Sequence, residues 1–184
     1  MNVLFMDCDG TILELVDNLS RGPRNLEEAK FVAGAADFLS TLPPEFEVYV
    51  VTNQPDVSRQ KNTISALLTI HSFLQSQFPI IKEVLMCTHD NSDNCYCRKP
   101  RPYLVNKVIA RESLDTKDCA FVGDSWIDIS TARNAQILSI LYRHEHSWRP
   151  TSQGSPPADL IPDFEVQNYA ALNELIANLS SKSF

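Results

Sequence analysis

Two carboxylates one residue apart, Asp7 and Asp9, follow directly on the apolar run Val3-Leu4-Phe5-Met6. Four apolar residues are too few for a helix and read as a buried strand, so the acids stand where a strand opens into a turn. Side chains alternate along a strand, but at its end both can face one crevice, and Gly10 lets the chain turn there. Acids this close repel unless a proton or a cation holds them. An all-oxygen donor set favours Mg2+. The chemistry that fits is a nucleophilic Asp7 beside an acid/base Asp9. A solvated acidic turn is the plainer alternative.

The rest of the chain argues against that alternative. Val48-Tyr49-Val50-Val51, Ile81 to Met86, Ala120-Phe121-Val122 and Ile137 to Tyr142 are further continuous apolar runs, and Phe164 to Val166 is a short last one. Between them, helical spacing of apolar residues marks Phe31 to Leu42, Ile64 to Phe78, Tyr103 to Arg111, Ile129 to Ala135 and Tyr169 to Leu179. Pro43-Pro44 stops the first helix. His71 falls on the apolar stripe of the second and reads as packed. Ile12 to Lys30, polar and broken by Gly22-Pro23, reads as a flap over the site, and Arg149 to Pro162 as a loop. Alternating strands and helices with continuous apolar strands predict an α/β fold, a parallel sheet covered by helices on both faces. Ligands of such sheets bind beyond the carboxyl ends of the strands. Asp7, Asp9, Thr52, Lys99 and Asp124 all fall at such ends, so residues far apart in sequence converge on one crevice.

That set suits phosphoryl transfer, which depends on positioning and charge neutralisation. Mg2+ would be held by Asp7, Asp124 and the backbone carbonyl of Asp9. Lys99 would neutralise phosphoryl oxygens, and Thr52, with Asn53 beside it, would hydrogen-bond them. Asp7 would attack phosphorus, and Asp9 would protonate the leaving oxygen and then activate water. Asp128 reads as support for the metal from behind, or as a solvated residue in the first turn of a helix. Arg59 and Arg98 are candidates to contact an anionic or hydroxylated part of the substrate. Arg143-His144-Glu145-His146 reads as a solvated loop, with contact to the site the alternative.

Composition narrows the partners. A net charge of −7 and no basic run argue against non-specific nucleic-acid binding. No stretch approaches a membrane span, and no signal peptide is seen. The 184 residues suit one domain, 1–184, expected to act as a monomer. The five cysteines are odd in number, and three crowd into residues 87–97, unlike a secreted disulfide framework. A reducing, cytoplasmic setting is expected. Cys87, His89, Cys95 and Cys97, two closely spaced pairs across a short connection, fit a four-ligand structural Zn2+. A metal-free turn supported by Asp90, Asn91, Asp93 and Asn94 is the alternative.

Asp7-x-Asp9-Gly10-Thr11, Thr52-Asn53-Gln54, Lys99-Pro100 and Gly123-Asp124-x-x-x-Asp128 resemble the four motifs of the haloacid dehalogenase superfamily of phosphatases, in order and over nearly the whole chain. With the Cys-x-His…Cys-x-Cys loop and Arg-Lys-Pro, the chain resembles the subfamily of D,D-heptose 1,7-bisphosphate phosphatase and the histidinol-phosphate phosphatase domain. The resemblance implies a capless Rossmann-like core, Mg2+-dependent hydrolysis of a small phosphomonoester, a sugar phosphate first and histidinol phosphate second, and a structural zinc. Polynucleotide 3′-phosphatases share two of the motifs. A zinc-stabilised binding module without catalysis is the reading from another class. Three features depart from the subfamily: Cys8 stands where Arg is common, Pro55-Asp56-Val57-Ser58-Arg59 replaces a Gly-containing turn, and the flap differs. Flap and turn would touch the leaving group, so the resemblance carries the chemistry further than the substrate.

Overall fold

The computed structural model describes residues 1–16 and 21–181. Six strands form one parallel sheet: β1 (Val3–Met6), β2 (Glu47–Asn53), β3 (Ile81–Cys87), β4 (Cys119–Gly123), β5 (Leu138–Tyr142) and β6 (Phe164–Val166). Their order across the sheet is β3-β2-β1-β4-β5-β6. Successive strands run outward from β1 to one side, and the chain then crosses back to place β4 on the other. The crevice beyond β1 and β4 is therefore the switch point, where sheets of this kind bind ligands.

The strands are apolar throughout because both faces are covered. Leu4, Met6, Val48, Val50, Ala120 and Val122 face one layer, with α1 (Ala35–Thr41), α2 (Ile64–Gln77) and α5 (Tyr169–Ser181). Val3, Phe5, Tyr49, Val51 and Phe121 face the other, with α3 (Tyr103–Glu112) and part of α4 (Trp126–Ala135). The rings of Phe5 and Phe121 stack at 6.5 Å between centroids. Each fully buried side chain of this size contributes about 1.5–3 kcal/mol, so the strands that carry the site are the best anchored part of the chain. The register pairs Met6 with Val50 on one side and Val122 on the other. That alignment brings the ends of β1, β2 and β4 together.

Two helices differ from their expected spans. The first begins at Ala35 rather than Phe31. Phe31 instead bridges to Leu13, and the Val32 N–H donates to the Ile12 carbonyl, so this segment pairs with the chain leaving the site. Gly34 then starts the helix at φ 85°, packed so closely on Tyr169 that a Cβ would lie 3.0 Å from the tyrosine Cβ. At the other end Pro43 holds Leu42 extended. The fourth helix begins at Trp126, three residues earlier than its apolar spacing indicates, because Ser125 and Asp128 form a reciprocal cap. Residues 7–16 and 21–34 contribute turns and isolated bridges, with no helix or strand of their own among the described residues. No helix of the described residues is long and apolar enough to cross a membrane.

Candidate active site

The floor of the crevice is a buried charge network. Lys99 Nζ donates to Asp7 Oδ1 at 2.6 Å and to Asp128 Oδ1 at 2.7 Å. It also lies 5.4 Å from the centre of the Phe121 ring, within cation–π range. Burial works against the ammonium charge, but Asp128 and Asp7 more than offset it and hold the lysine pKa above its ordinary value. The carboxylates show the converse. Burial, then the charge of Asp128, pushes Asp7 well above the usual carboxylate range, with Lys99 opposing. Burial raises Asp124, opposed by a hydrogen bond from His144. Burial lifts Asp9 to about 6 against the Gln54 hydrogen bond and Lys99. With one lysine among four acids, the site is short of positive charge.

Oxygens from Asp7, Asp124 and Asp128 lie within 4.8 Å of one another. Their hydrogen bonds separate their roles. Asp128 spends Oδ1 on Lys99 and Oδ2 on the backbone N–H and hydroxyl of Ser125, so it supports the lysine and the helix start. Asp7 Oδ1 takes Lys99 and the Cys8 N–H, which leaves Oδ2 without a partner among the described residues. Asp124 meets His144 through Oδ2, and its Oδ1 has no partner among the described residues. All-oxygen donors, unspent lone pairs and excess negative charge fit a hard divalent cation. The Asp9 carboxylate is not part of this group. Its Oδ2 accepts from Gln54 Nε2 at 2.7 Å.

Three glycines make the arrangement possible by leaving out a side chain beside a carboxylate. A Cβ on Gly10 would stand 2.6 Å from Asp124 Oδ2, and one on Gly123 2.4 Å from Asp128. A Cβ on Gly22 would stand 2.3–2.4 Å from every heavy atom of the Asp9 carboxyl group. The last contact lays the flap directly on Asp9.

Around the floor, a cavity of about 160 Å³ is lined by Asp7, Asp9, Thr52, Lys99 and Asp128, among others. Thr52 is buried there, its hydroxyl accepting from Gln54 Nε2. Asn53 also lines the cavity, but its amide is committed elsewhere. Its Nδ2 donates to the Lys99 carbonyl and its Oδ1 accepts the Lys99 N–H, so it clamps the lysine backbone instead of presenting its amide to phosphate. Arg59 is not brought to the cavity. It forms a two-pronged pair with Asp90 at 2.6–2.7 Å, which ties the turn after β2 to the next loop. Arg98 is buried and lines both this cavity and a neighbouring one of about 390 Å³. The larger space is walled by Asn91, Asn94, Arg101, Ser152 and Gln153. Within the loop after β5, read from sequence as solvated, His144 reaches the site at 3.1 Å from Asp124, whereas His146 pairs with Glu145.

Cys87, His89, Cys95 and Cys97 form a second cluster. Their sulfurs lie 3.3–3.6 Å apart, and His89 Nδ1 lies 3.3 Å from Cys97 and 3.7 Å from Cys87. A tetrahedral zinc with bonds of about 2.3 Å to sulfur would set sulfurs about 3.8 Å apart, so the donors are already gathered to that scale. Burial pushes the Cys87 thiol up, a cost that exchanging its proton for a metal ion removes. The turn between the pairs is capped by Asp90 and Asp93, the local support expected of a metal-free loop, and both kinds of support are present together.

Gln54 and His144 were not in the sequence-derived site. Gln54 carries a usable signal, since it ends the Thr-Asn-Gln run at the close of β2.

Residues 96–166 match the family model described as HAD-hydrolase-like. The chain is 29% identical over 165 residues to the histidine biosynthesis bifunctional protein HisB of Buchnera aphidicola, covering 86% of this chain and 44% of that protein. It is 27% identical over 168 residues to the D-glycero-beta-D-manno-heptose-1,7-bisphosphate 7-phosphatase of Pseudomonas putida, covering 89% of this chain and 94% of that one. The chain thus spans less than half the length of the bifunctional relative. Among solved structures, D,D-heptose 1,7-bisphosphate phosphatase from B. bronchiseptica, complexed with magnesium and phosphate, superposes with a TM-score of 0.78 at 22% identity, over 97% of this chain and 99% of that one. The acids at the end of β1 and the lysine that bridges them to α4 thus stand in a chain that is similar, over residues 96–166, to the HAD-like hydrolases.

Proposed function

We propose that the protein is a phosphomonoester hydrolase acting through an aspartyl-phosphate. The observation that carries this reading is the convergence of Asp7, Asp9 and Lys99 on one small crevice, with a carboxylate oxygen of Asp124 within 4.8 Å of one from Asp7. Lys99 and Cys8 N–H fix Asp7 by one oxygen and point the other at the entering phosphorus. Its attack forms an O–P bond as the ester bond breaks. Asp9, held by Gln54 and raised to about 6, gives its proton to the leaving oxygen. Water then attacks phosphorus, Asp9 takes its proton, and the bond to Asp7 breaks. Thr52 and Lys99 hold phosphoryl oxygens. Asp7 and Asp124, with the Asp9 carbonyl, would hold Mg2+, which supplies charge neutralisation for the phosphoryl group.

The space beyond the crevice favours an anionic or hydroxyl-rich leaving group. Arg98 and Arg101 line it, and both donate to neutral acceptors, Asn91 and His89 carbonyl for the first, Asn94 and Cys95 carbonyl for the second. Its one acid, Asp90, is paired with Arg59. The wall is therefore net basic, which suits a sugar bisphosphate better than the cationic amine of histidinol phosphate. The match to HisB keeps the latter as the second reading.

Turnover of heptose 1,7-bisphosphate, other sugar phosphates and histidinol phosphate in Mg2+, side by side, tests both readings. Sugar bisphosphates should lead. Histidinol phosphate turning over well while all sugar phosphates are poor would reverse the order. Asp7→Asn should lose at least about a thousandfold in turnover, and near-normal turnover would end the covalent mechanism.

We also propose one structural Zn2+ on Cys87, His89, Cys95 and Cys97. Four protein ligands leave no position for catalytic water, so its task is to fix the loop that carries Arg98 and Lys99. About one zinc per chain is expected in protein purified without added metal, lost in Cys95→Ser together with most activity. A fully active, zinc-free parent would reject the assignment.

A further inference from the structure

We propose that His144 is a positioning residue for Asp124, holding that carboxylate in the orientation that receives the divalent cation; this rests on the metal-dependent reading above. The four acids of the site are not held equally. Asp7 has a backbone N–H and Lys99, Asp9 has Gln54, and Asp128 has Ser125 twice and Lys99. Among the described residues, Asp124 has a single hydrogen-bond partner, His144 Nε2, at 3.1 Å from Oδ2.

The ring is itself held. The His146 N–H donates to His144 Nδ1 at 3.2 Å. With Nδ1 accepting, the ring proton is assigned to Nε2, the atom that faces Asp124. The His144 N–H donates to Ser147 Oγ, and that hydroxyl donates to the Tyr142 carbonyl, which closes the turn under the ring. The ring packs against Tyr142 at 6.2 Å between centroids. The sheet register explains the meeting: Leu141 of β5 lies beside Gly123 of β4, so the next residues of each strand leave the sheet side by side.

Gly10 completes the slot. Its backbone approaches Asp124 so closely that a Cβ would overlap Oδ2. His144 and Gly10 thus hold Oδ2 from two sides, and among the described residues Oδ1 has no hydrogen-bond partner, in a carboxylate that clusters with Asp7 and Asp128. A neutral donor suits this task. It orients the carboxylate without opposing an incoming cation with a full positive charge. Partners of this kind are commonly worth 10–100-fold in metal affinity.

The test measures Mg2+ binding by calorimetry, without substrate, on the full chain. Asp124→Asn marks the metal site itself. His144→Phe keeps the packing on Tyr142 and removes the donor, His144→Asn is too short to reach Asp124, and His144→Gln restores a donor near the Nε2 position. A 10–100-fold weaker Kd in His144→Phe or His144→Asn, with His144→Gln within a few-fold of the parent, supports the proposal. Having both Phe and Asn variants guards against one that fails to fold. Parent-like Mg2+ affinity in the donor-less variants, with Asp124→Asn still losing the ion, overturns the role of His144 and leaves the metal-dependent reading standing. A parent that binds no Mg2+ overturns both.

Discussion

The floor and the mouth of the crevice are both built from ion pairs, and they hold them in opposite ways. On the floor, the side chains of Lys99, Asp7 and Asp128 are 3%, 12% and 0% exposed. At the mouth, Arg24–Asp56 and Arg59–Asp90 join three loops with side chains 19–34% exposed. Charges removed from water interact strongly but cost several kcal/mol each to bury, so the floor is stable only as a complete set. Half-exposed pairs are screened and individually weak. The floor hangs on strand ends fixed by sheet register. The mouth hangs on the flap, the turn after β2 and the loop carrying the cysteines, each joined to its neighbour by a few polar contacts. Chemistry is thereby tied to the fold, and the choice of leaving group to contacts that a few substitutions can change.

Removing Lys99 is the largest expected break in this comparison. Lys99→Met retains most of the volume and leaves Asp7 and Asp128 buried without their shared cation. Loss of one partner of a buried pair costs about 3–5 kcal/mol, read as the change in urea midpoint for metal-free protein. Mg2+ should recover part of it by supplying charge at the same place. A loss below about 1 kcal/mol would mean the floor is held no more tightly than the mouth.

The next effect is smaller and opposite in sign. Asp9 titrates at about 6 in the folded chain against 3.8 for an unperturbed carboxyl. Between those values the folded state keeps a proton that the unfolded chain has released. Stability therefore falls as pH rises from about 4 to 6, and above 6 the penalty is full and constant. Asp9→Asn removes it, so the metal-free variant should gain on the parent by up to about 3 kcal/mol at pH 7.5 and by little at pH 4. Denaturation at the two pH values checks this, and an equal gain at both would show that the carboxyl is not strained by burial.

How far the sequence exposes these two regions follows from the forces that build them. The strands are legible because both sheet faces are buried, which makes β1, β2 and β4 continuous apolar runs. The polar residues at their ends, Asp7, Thr52 and Asp124, are then placed by rule. Asn53 is less legible: its position was readable, but whether its amide faces ligand or the Lys99 backbone depends on a loop 46 residues away. Arg59 depends in the same way on Asp90. His144 needed the strand order, since only β5 lying beside β4 brings it to Asp124. The start of α4 carries a local signal that its apolar spacing does not. Ser125-Trp126-Ile127-Asp128 has the spacing of a capping box, which marks the helix start; that Asp128 also meets Lys99 depends on a loop 29 residues away.

The smallest expected effect sharpens the comparison most. Arg24 joins the flap to Asp56 in the turn after β2, with a closest approach of 2.6 Å, and Gly22, two residues away, lies on Asp9. Arg24→Ala should cost less than about 1 kcal/mol of stability, and a double-mutant cycle with Asp56→Ala should give a coupling of the same small size, shrinking at high salt. Its functional effect should fall on substrate affinity. A looser flap weakens contact with the leaving group, whereas Asp9 stays held by Gln54 and Asp7 by Lys99. A several-fold rise in KM with kcat nearly unchanged is the expected split. If kcat instead drops tenfold or more while the fold is intact, the flap helps to set the acid/base group itself, and the floor and the mouth are one device.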